Sequence, residues 1–288
     1  MRVANLRGRL ALVNADGSAA VDVSTASKGR FTANPQDIYD QWADFTAWFA
    51  ATDVDWSTAV EFSPSDLGAP APSPQQVFAI GLNYSAHAAE TPFDVPKDPT
   101  VMFTKWPSCL TGPDTTVTLP DGGNTDWEVE LVVVIGRFTY QVSEQHAWEY
   151  VAGLTAGQDI SERITQAAGP SPQFSLGKSL PGFGPTGPWL VTPDEVEDRD
   201  NLELGCAVNG EQMQKGRTRD LIFSVATLIS RLSHKLPLLP GDLVWTGTPA
   251  GTGVGRKPPK FLAAGDELVS YIAGIGELRQ RFVASSTS

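Results

Sequence analysis

The sequence predicts a mixed, mainly β fold with short helices, preceded by a small N-terminal α+β unit. Three observations carry this. Residues 126–136, DWEVELVVVIG, alternate apolar and acidic side chains and then become β-branched, the signature of a strand. Similar short runs recur along the chain between Gly- and Pro-rich turns. Helical spacing is confined to a few segments, of which 37–51 and 219–235 are the longest.

A chain of 288 residues can bury a large core, as one domain or as one domain with an appendage. Hydrophobic and charged contents of 41% and 19% are those of an ordinary globular protein. Acidic residues outnumber basic ones 33 to 21, with no basic run, so nucleic acid and anionic membrane are not expected partners. Cys109 and Cys206 are too few and too distant for a disulfide framework or a thiolate metal site, and read as reduced thiols of a cytoplasmic protein. No run approaches 18 apolar residues, and Arg7, Arg9 and Asp16 interrupt the N-terminal apolar stretch. No signal peptide or membrane segment is therefore expected.

Residues 1–70 read as a separate small domain and 71–288 as the main one. Residues 9–13 and 20–23 flank the turn Asn14-Ala15-Asp16-Gly17, a hairpin signal. In 37–51, Ile38, Trp42, Phe45, Trp48 and Phe49 fall at spacings of three and four, an amphipathic helix whose aromatic stripe serves packing. The Pro-rich stretch 68–76 reads as a linker. Residues 77–82 form a short buried strand, after which Asn83 is placed to cap a short helix. Further strands are expected at 100–105, 114–119 and 151–160, with a short helix over 143–149 between the last two. Residues 202–208 open a hairpin at Asn209-Gly210, and 219–235 carry the clearest helical stripe. The strand 243–247 leads into GTPAGTG, a Gly/Thr turn able to offer backbone N–H groups to an anion. Strands 268–272 and 278–283 close the sheet.

Chemistry concentrates where carboxylates interrupt apolar elements. On one strand Glu128 and Glu130 project to the same side, about 6–7 Å apart. An acidic alternation taken alone also describes a half-exposed strand, but the following VVVI argues for burial on both faces. Two buried neighbouring carboxylates repel unless a cation lies between them. Asp159 ends a further apolar run. Two glutamates and one aspartate form a hard oxygen donor set, suited to Mg²⁺ first and to Mn²⁺ or Ca²⁺ next, whereas Zn²⁺ would recruit His or Cys.

His87 and Glu90 lie three apart in the short helix after the 77–82 strand, so the carboxylate can orient the imidazole. Taken alone, His87 reads first as a structural histidine. His146 and His234 sit in surface and helix-end contexts that ask for no function. Arg163, Gln166 and Lys178 fall in a long Gly/Pro-rich loop, where a lysine is ordinarily solvated.

In order, GLNYSAHAAE, DWEVELVVVIG, AGQDISER, LGKS, GPTGPWLV, NGE, DLIFSVATLIS, PGDLVWTGTPAGTGVG and GDEL resemble the fumarylacetoacetate hydrolase family over roughly residues 77–283. The resemblance implies a rolled β-sandwich with a metal site at one mouth, and a homodimer. It places metal ligands at Glu128, Glu130 and Asp159, and a water-activating pair at His87 and Glu90. It further places anion-stabilising groups at Arg163, Gln166 and Lys178, and a substrate-contacting threonine at Thr248. Gln158, Ile164 and Leu176 depart from the family's usual residues, which implies an altered substrate pocket. The activity so implied is metal-dependent hydrolysis of a C–C bond in a 1,3-dicarbonyl compound of the acylpyruvate or acylacetoacetate type. Decarboxylation, tautomerisation or hydration of a 2-oxo acid is the alternative within the family. Outside enzymes, the alternatives are a non-catalytic keto-acid-binding protein and a structural Ca²⁺ clamp.

Overall fold

In the computed structural model, which describes residues 1–90, 96–99 and 102–285, strand Val129–Ile135 runs through the middle of the larger sheet. It pairs antiparallel with Val151–Gln158 on one side and Leu243–Trp245 on the other. Beyond Val151–Gln158 come Gly184–Val191, Arg2–Leu6, Arg9–Val13 and Ala19–Asp22; beyond Leu243–Trp245 come Val77–Ile80 and Met102–Phe103. A second sheet of five strands runs Glu211–Arg217, Glu203–Val208, Glu267–Ile272, Gly276–Val283, Asp114–Thr118. The last two strands of the chain therefore belong to this second sheet and do not close the first.

Side-chain alternation along the central strand sorts the core into two layers. Val129, Leu131, Val133 and Ile135 pack with Leu204, Leu268, Leu278 and Phe282 of the second sheet. Val132 and Val134 face the other way, into a cluster with Trp245, Tyr39, Trp42 and Phe45. Burial on both faces is worth about 1.5–3 kcal/mol for each such side chain. Gly157 makes the close fit possible, since a Cβ there would lie 2.5 Å from Val132 Cγ2 and 2.6 Å from Trp245 Cζ3.

The N-terminal strands extend the larger sheet, with Arg2 opposite Val191 and Val3 opposite Leu190. Leu67 and Gly68 pair with Leu6 and Asn5, and Ala69 and Ala71 are buried. The start of the Pro-rich stretch is thus packed and is not a free linker. The aromatic segment begins as a 3₁₀ turn, Asp37–Gln41, and becomes helical over Trp42–Ala50. Its aromatic side chains pack on one another, with Phe31 and Phe45 at 5.3 Å between ring centres.

Three local expectations are corrected. The 126–136 segment is two strands, Thr125–Asp126 and Val129–Ile135. Between them Asp126 turns its carboxylate onto backbone N–H groups, including that of Trp127 at 2.8 Å. Asn83 does not cap the helix Ser85–Ala88, whose N-cap is Tyr84. Instead its side chain donates to the carbonyls of Phe223 (3.0 Å) and Thr246 (2.8 Å) and accepts from Phe223 N (2.7 Å). That clamp, with a bridge between Tyr84 and Leu221, takes residues 221–223 out of the expected long helix. The helix is therefore limited to Val225–Ser233, capped by Ser224. Of the strand expected over 100–105, Thr100 and Val101 lie outside the described residues, and Met102–Phe103 is extended.

Candidate metal and hydrolytic site

Glu128, Glu130 and Asp159 come together at the end of the central strands, with one oxygen of each within 4.8 Å of the others. Asp159 reaches the site because Val151–Gln158 runs antiparallel to Val129–Ile135, and Asp159 N donates to Glu128 O at 2.8 Å. Gln158 holds the same crossing, accepting from Glu128 N and donating to Ser270 Oγ in the second sheet. It is a buried tie between sheets.

Cations stand directly on this group. Lys178, ordinarily solvated in such a loop but placed at the site by the family resemblance, is buried, and its Nζ lies 2.7 Å from Glu128 Oε2 and 2.6 Å from Asp159 Oδ2. Lys105 is buried as well; its Nζ donates to Asp159 Oδ1 at 2.7 Å and to the Lys178 carbonyl. Arg163 spans Asp126 Oδ2 and Glu128 Oε1 at 2.7 and 2.6 Å, and donates to Gln166 Oε1 at 2.8 Å.

Burial alone would raise the Glu128 carboxyl, but Lys178, Arg163 and His87 outweigh it and hold the group below the usual carboxylate range. Burial lowers the Lys178 ammonium, and Asp159 and Glu128 reverse that shift and raise it. Glu130 is the exception. Burial and then the adjacent Asp159 and Glu128 push it well above the ordinary value, against weaker opposition from Lys178 and the Gly247 N–H. No ion pair within 4.0 Å reaches Glu130 among the described residues; its one hydrogen bond there is from Gly247 N, at 2.8 Å. A carboxylate so placed takes up a proton or a cation. With two further carboxylates beside it and no thiolate or imidazole in the set, the donors fit a hard divalent ion.

The Gly/Thr turn does present N–H groups to anions, and the anions are the protein's own. Gly247 N reaches Glu130, Gly251 N reaches Glu90 at 2.9 Å, and Gly253 N and Val254 N reach Asp126 at 2.7 and 2.9 Å. His87 Nδ1 lies 3.2 Å from Glu90 Oε2, and the imidazole is buried. Thr248 is also buried, its hydroxyl donating to Val129 O at 2.9 Å and accepting from Gln214 Nε2 at 2.8 Å.

The structure therefore brings together His87, Glu90, Glu128, Glu130, Asp159, Arg163, Gln166 and Lys178, and adds Lys105 and Asp126. Lys105 had no sequence signal beyond its place after a short apolar run. Asp126 opens the acidic alternation of 126–130, which could have marked it. His146 and His234 stay apart, on Glu149 and on the Ser230 carbonyl. Cys109 and Cys206 are buried and unpaired. No helix among the described residues is long and apolar enough to cross a membrane.

The double-layered β fold thus carries a buried carboxylate triad beside a His–Glu pair. The model of the fumarylacetoacetate (FAA) hydrolase C-terminal family matches residues 76–283, and the chain belongs to that family. A Burkholderia cenocepacia (strain HI2424) protein named "putative hydrolase" is 48% identical over 204 residues, 70% of this chain and 72% of the relative. Among solved structures, a "putative HpcE protein" from Mycobacterium smegmatis superposes with a TM-score of 0.94 at 52% identity, covering 99% of this chain and 100% of that one. Fumarylacetoacetate hydrolase from Exiguobacterium antarcticum gives 0.83 at 31% identity, with 99% of each chain covered. Maleylpyruvate hydrolase from Sphingobium sp. SYK-6, solved with manganese(II) and pyruvate, gives 0.77 at 26%, again with 99% of each covered.

Proposed function

We propose that the protein is a metal-dependent hydrolase that cleaves a C–C bond in a 1,3-dicarbonyl substrate of the acylpyruvate or acylacetoacetate type. Glu128, Glu130 and Asp159 would hold the ion, Mg²⁺ in this reading, with Mn²⁺ or Ca²⁺ able to replace it. When bound, that ion supplies a template and Lewis acid for two neighbouring substrate oxygens.

The remaining work falls to side chains of this chain. His87, held by Glu90, takes a proton from water, and the oxygen attacks the acyl carbonyl. Lys178 has two of its three N–H groups on Glu128 and Asp159, which leaves one for the developing oxyanion. Arg163 fixes Glu128 and, through Gln166 Oε1, presents the Gln166 amide N–H groups to the substrate. Thr248 contributes its backbone N–H, since its hydroxyl hydrogen is already committed. When the C–C bond breaks, its electron pair leaves with the methylene carbon, and His87 returns the proton there. One acid and one methyl ketone result from one water.

The observation that carries this reading is the His87–Glu90 pair next to the triad, with the imidazole buried. A decarboxylase or tautomerase needs no base for water in that place. The isomerase reading draws support from relatives named isomerases, such as the Mycobacterium abscessus 2-hydroxyhepta-2,4-diene-1,7-dioate isomerase structure at 28% identity. His87→Ala decides between them: hydrolysis should fall by about 10²–10⁴ with the affinity for Mn²⁺ retained. An unchanged rate removes the assigned base. We assign the assembly as a homodimer, which light scattering of the full chain tests.

A further inference from the structure

Four of the segments around the site carry a large apolar side chain in solvent. Trp106 follows Lys105, Ile164 follows Arg163, Leu176 stands two residues before Lys178, and Val254 donates its N–H to Asp126. These side chains are 43, 54, 63 and 44% exposed. Single exposed apolar residues are ordinary, whereas a group on converging segments marks a binding surface.

The convergence is specific. Trp106 N donates to Ser179 Oγ at 3.0 Å. A Cβ on Gly177 would lie 2.7 Å from Gln166 N, so the Leu176 loop backs directly onto the Arg163–Gln166 helix. Asp126 Oδ2 accepts from both Arg163 and Val254.

The three cations that line the carboxylate cluster are already matched. Lys105, Lys178 and Arg163 each lie on carboxylates of the site. Arg256, two residues beyond Val254, donates to the Met213 carbonyl and lies over the Trp127 ring. Five carboxylates of the site, Glu90, Asp126, Glu128, Glu130 and Asp159, stand against those three cations in number, so one divalent ion brings the group to neutrality. A second carboxylate at the far end of a substrate would lose water against an apolar rim, and Lys105, Lys178 and Arg163 are already held by the site's own carboxylates.

We propose that Trp106, Ile164, Leu176 and Val254 form a specificity rim that selects substrates whose acyl group ends in a neutral alkyl or aryl tail over those ending in a carboxylate. This rests on the reading of the site as one that takes a 2-oxo acid unit. The test is calorimetric binding of 2-oxooctanoate and of 2-oxosuberate, equal in length, to the Mn²⁺-loaded full chain. The wild type should bind 2-oxooctanoate at least about tenfold more tightly, since each buried methylene is worth roughly fourfold. Leu176→Arg, at an exposed position, should bring the two affinities together or invert them.

Equal or tighter binding of 2-oxosuberate by the wild type overturns the proposal, as does failure of both ligands to bind. A Leu176→Arg chain that changes its oligomeric state and keeps the ligand ratio also overturns it, and gives the rim to a second copy. Acetylpyruvate cleavage is measured on the same preparation. A preference for 2-oxooctanoate without cleavage contradicts the hydrolase assignment alone and leaves the rim standing.

Discussion

Lys178 Nζ lies 2.6 Å from Asp159 Oδ2, and both groups are buried. The same ammonium reaches Glu128, so it joins two of the three carboxylates of the triad and leaves Glu130 without an ion-pair partner among the described residues. The positive charge within the cluster is thus uneven, and Glu130 is the carboxyl that receives least of it.

Lys178→Met should destabilise the metal-free protein by about 3 kcal/mol, the lower end for breaking a buried pair, because Glu128 keeps Arg163 and Asp159 keeps Lys105. For a chain of this size that is a fall in Tm of roughly 5 °C. Saturating Mg²⁺ should restore more of the Tm in the variant than it adds to the wild type. Thermal melts with and without EDTA check this; equal Mg²⁺ shifts in both proteins would contradict it.

Glu162 controls the loop that carries Arg163. Its carboxylate caps the Arg163–Gln166 helix by accepting from Ile164 N and Thr165 N, and it also takes Thr165 Oγ1 and Asn124 N. Burial raises this carboxyl, but those hydrogen bonds outweigh it and lower it from 4.5. A depressed folded-state value contributes stability above the unfolded value, and that stability is lost as pH falls through the folded one. The wild type should therefore lose stability on acidification below about pH 4.5, and Glu162→Gln should flatten that part of the curve. Denaturant midpoints across pH 3–6 measure it, and parallel curves would show that Glu162 is not responsible.

Gly157 bears the closest packing behind the triad. Gly157→Ala places a methyl against Val132 and Trp245, both fixed in central strands. Overpacking of this kind should cost about 1–3 kcal/mol, read as a lower urea midpoint with an unchanged slope. A neutral substitution would mean that these strands can separate.

The sequence made the triad legible because Glu130 and Asp159 interrupt or end an apolar run, where an ionisable residue is conspicuous, whereas the role of the His87–Glu90 pair rested on the family resemblance. Glu128 was found on the same pattern, although the strand begins only at Val129. Lys105 and Lys178 were not readable as buried groups, since their partners lie 54 and 19 residues away on Asp159 and nothing local marks a buried ammonium. The Gly/Thr turn was legible as a set of anion donors, but only the folded chain shows that Glu90, Asp126 and Glu130 are the anions. Residues 221–223 fit a helical stripe and yet serve Asn83, a contact across 140 residues that overrides local preference.

The central claim is that water is added across a C–C bond, and isotope labelling of the products tests it most directly. Acetylpyruvate incubated in H₂¹⁸O with the Mg²⁺-loaded protein should give acetate carrying ¹⁸O, together with pyruvate, and neither product should form after EDTA treatment until Mg²⁺ is restored. Loss of CO₂ from oxaloacetate with no labelled acetate from acetylpyruvate, or cleavage that continues in EDTA, would contradict the account.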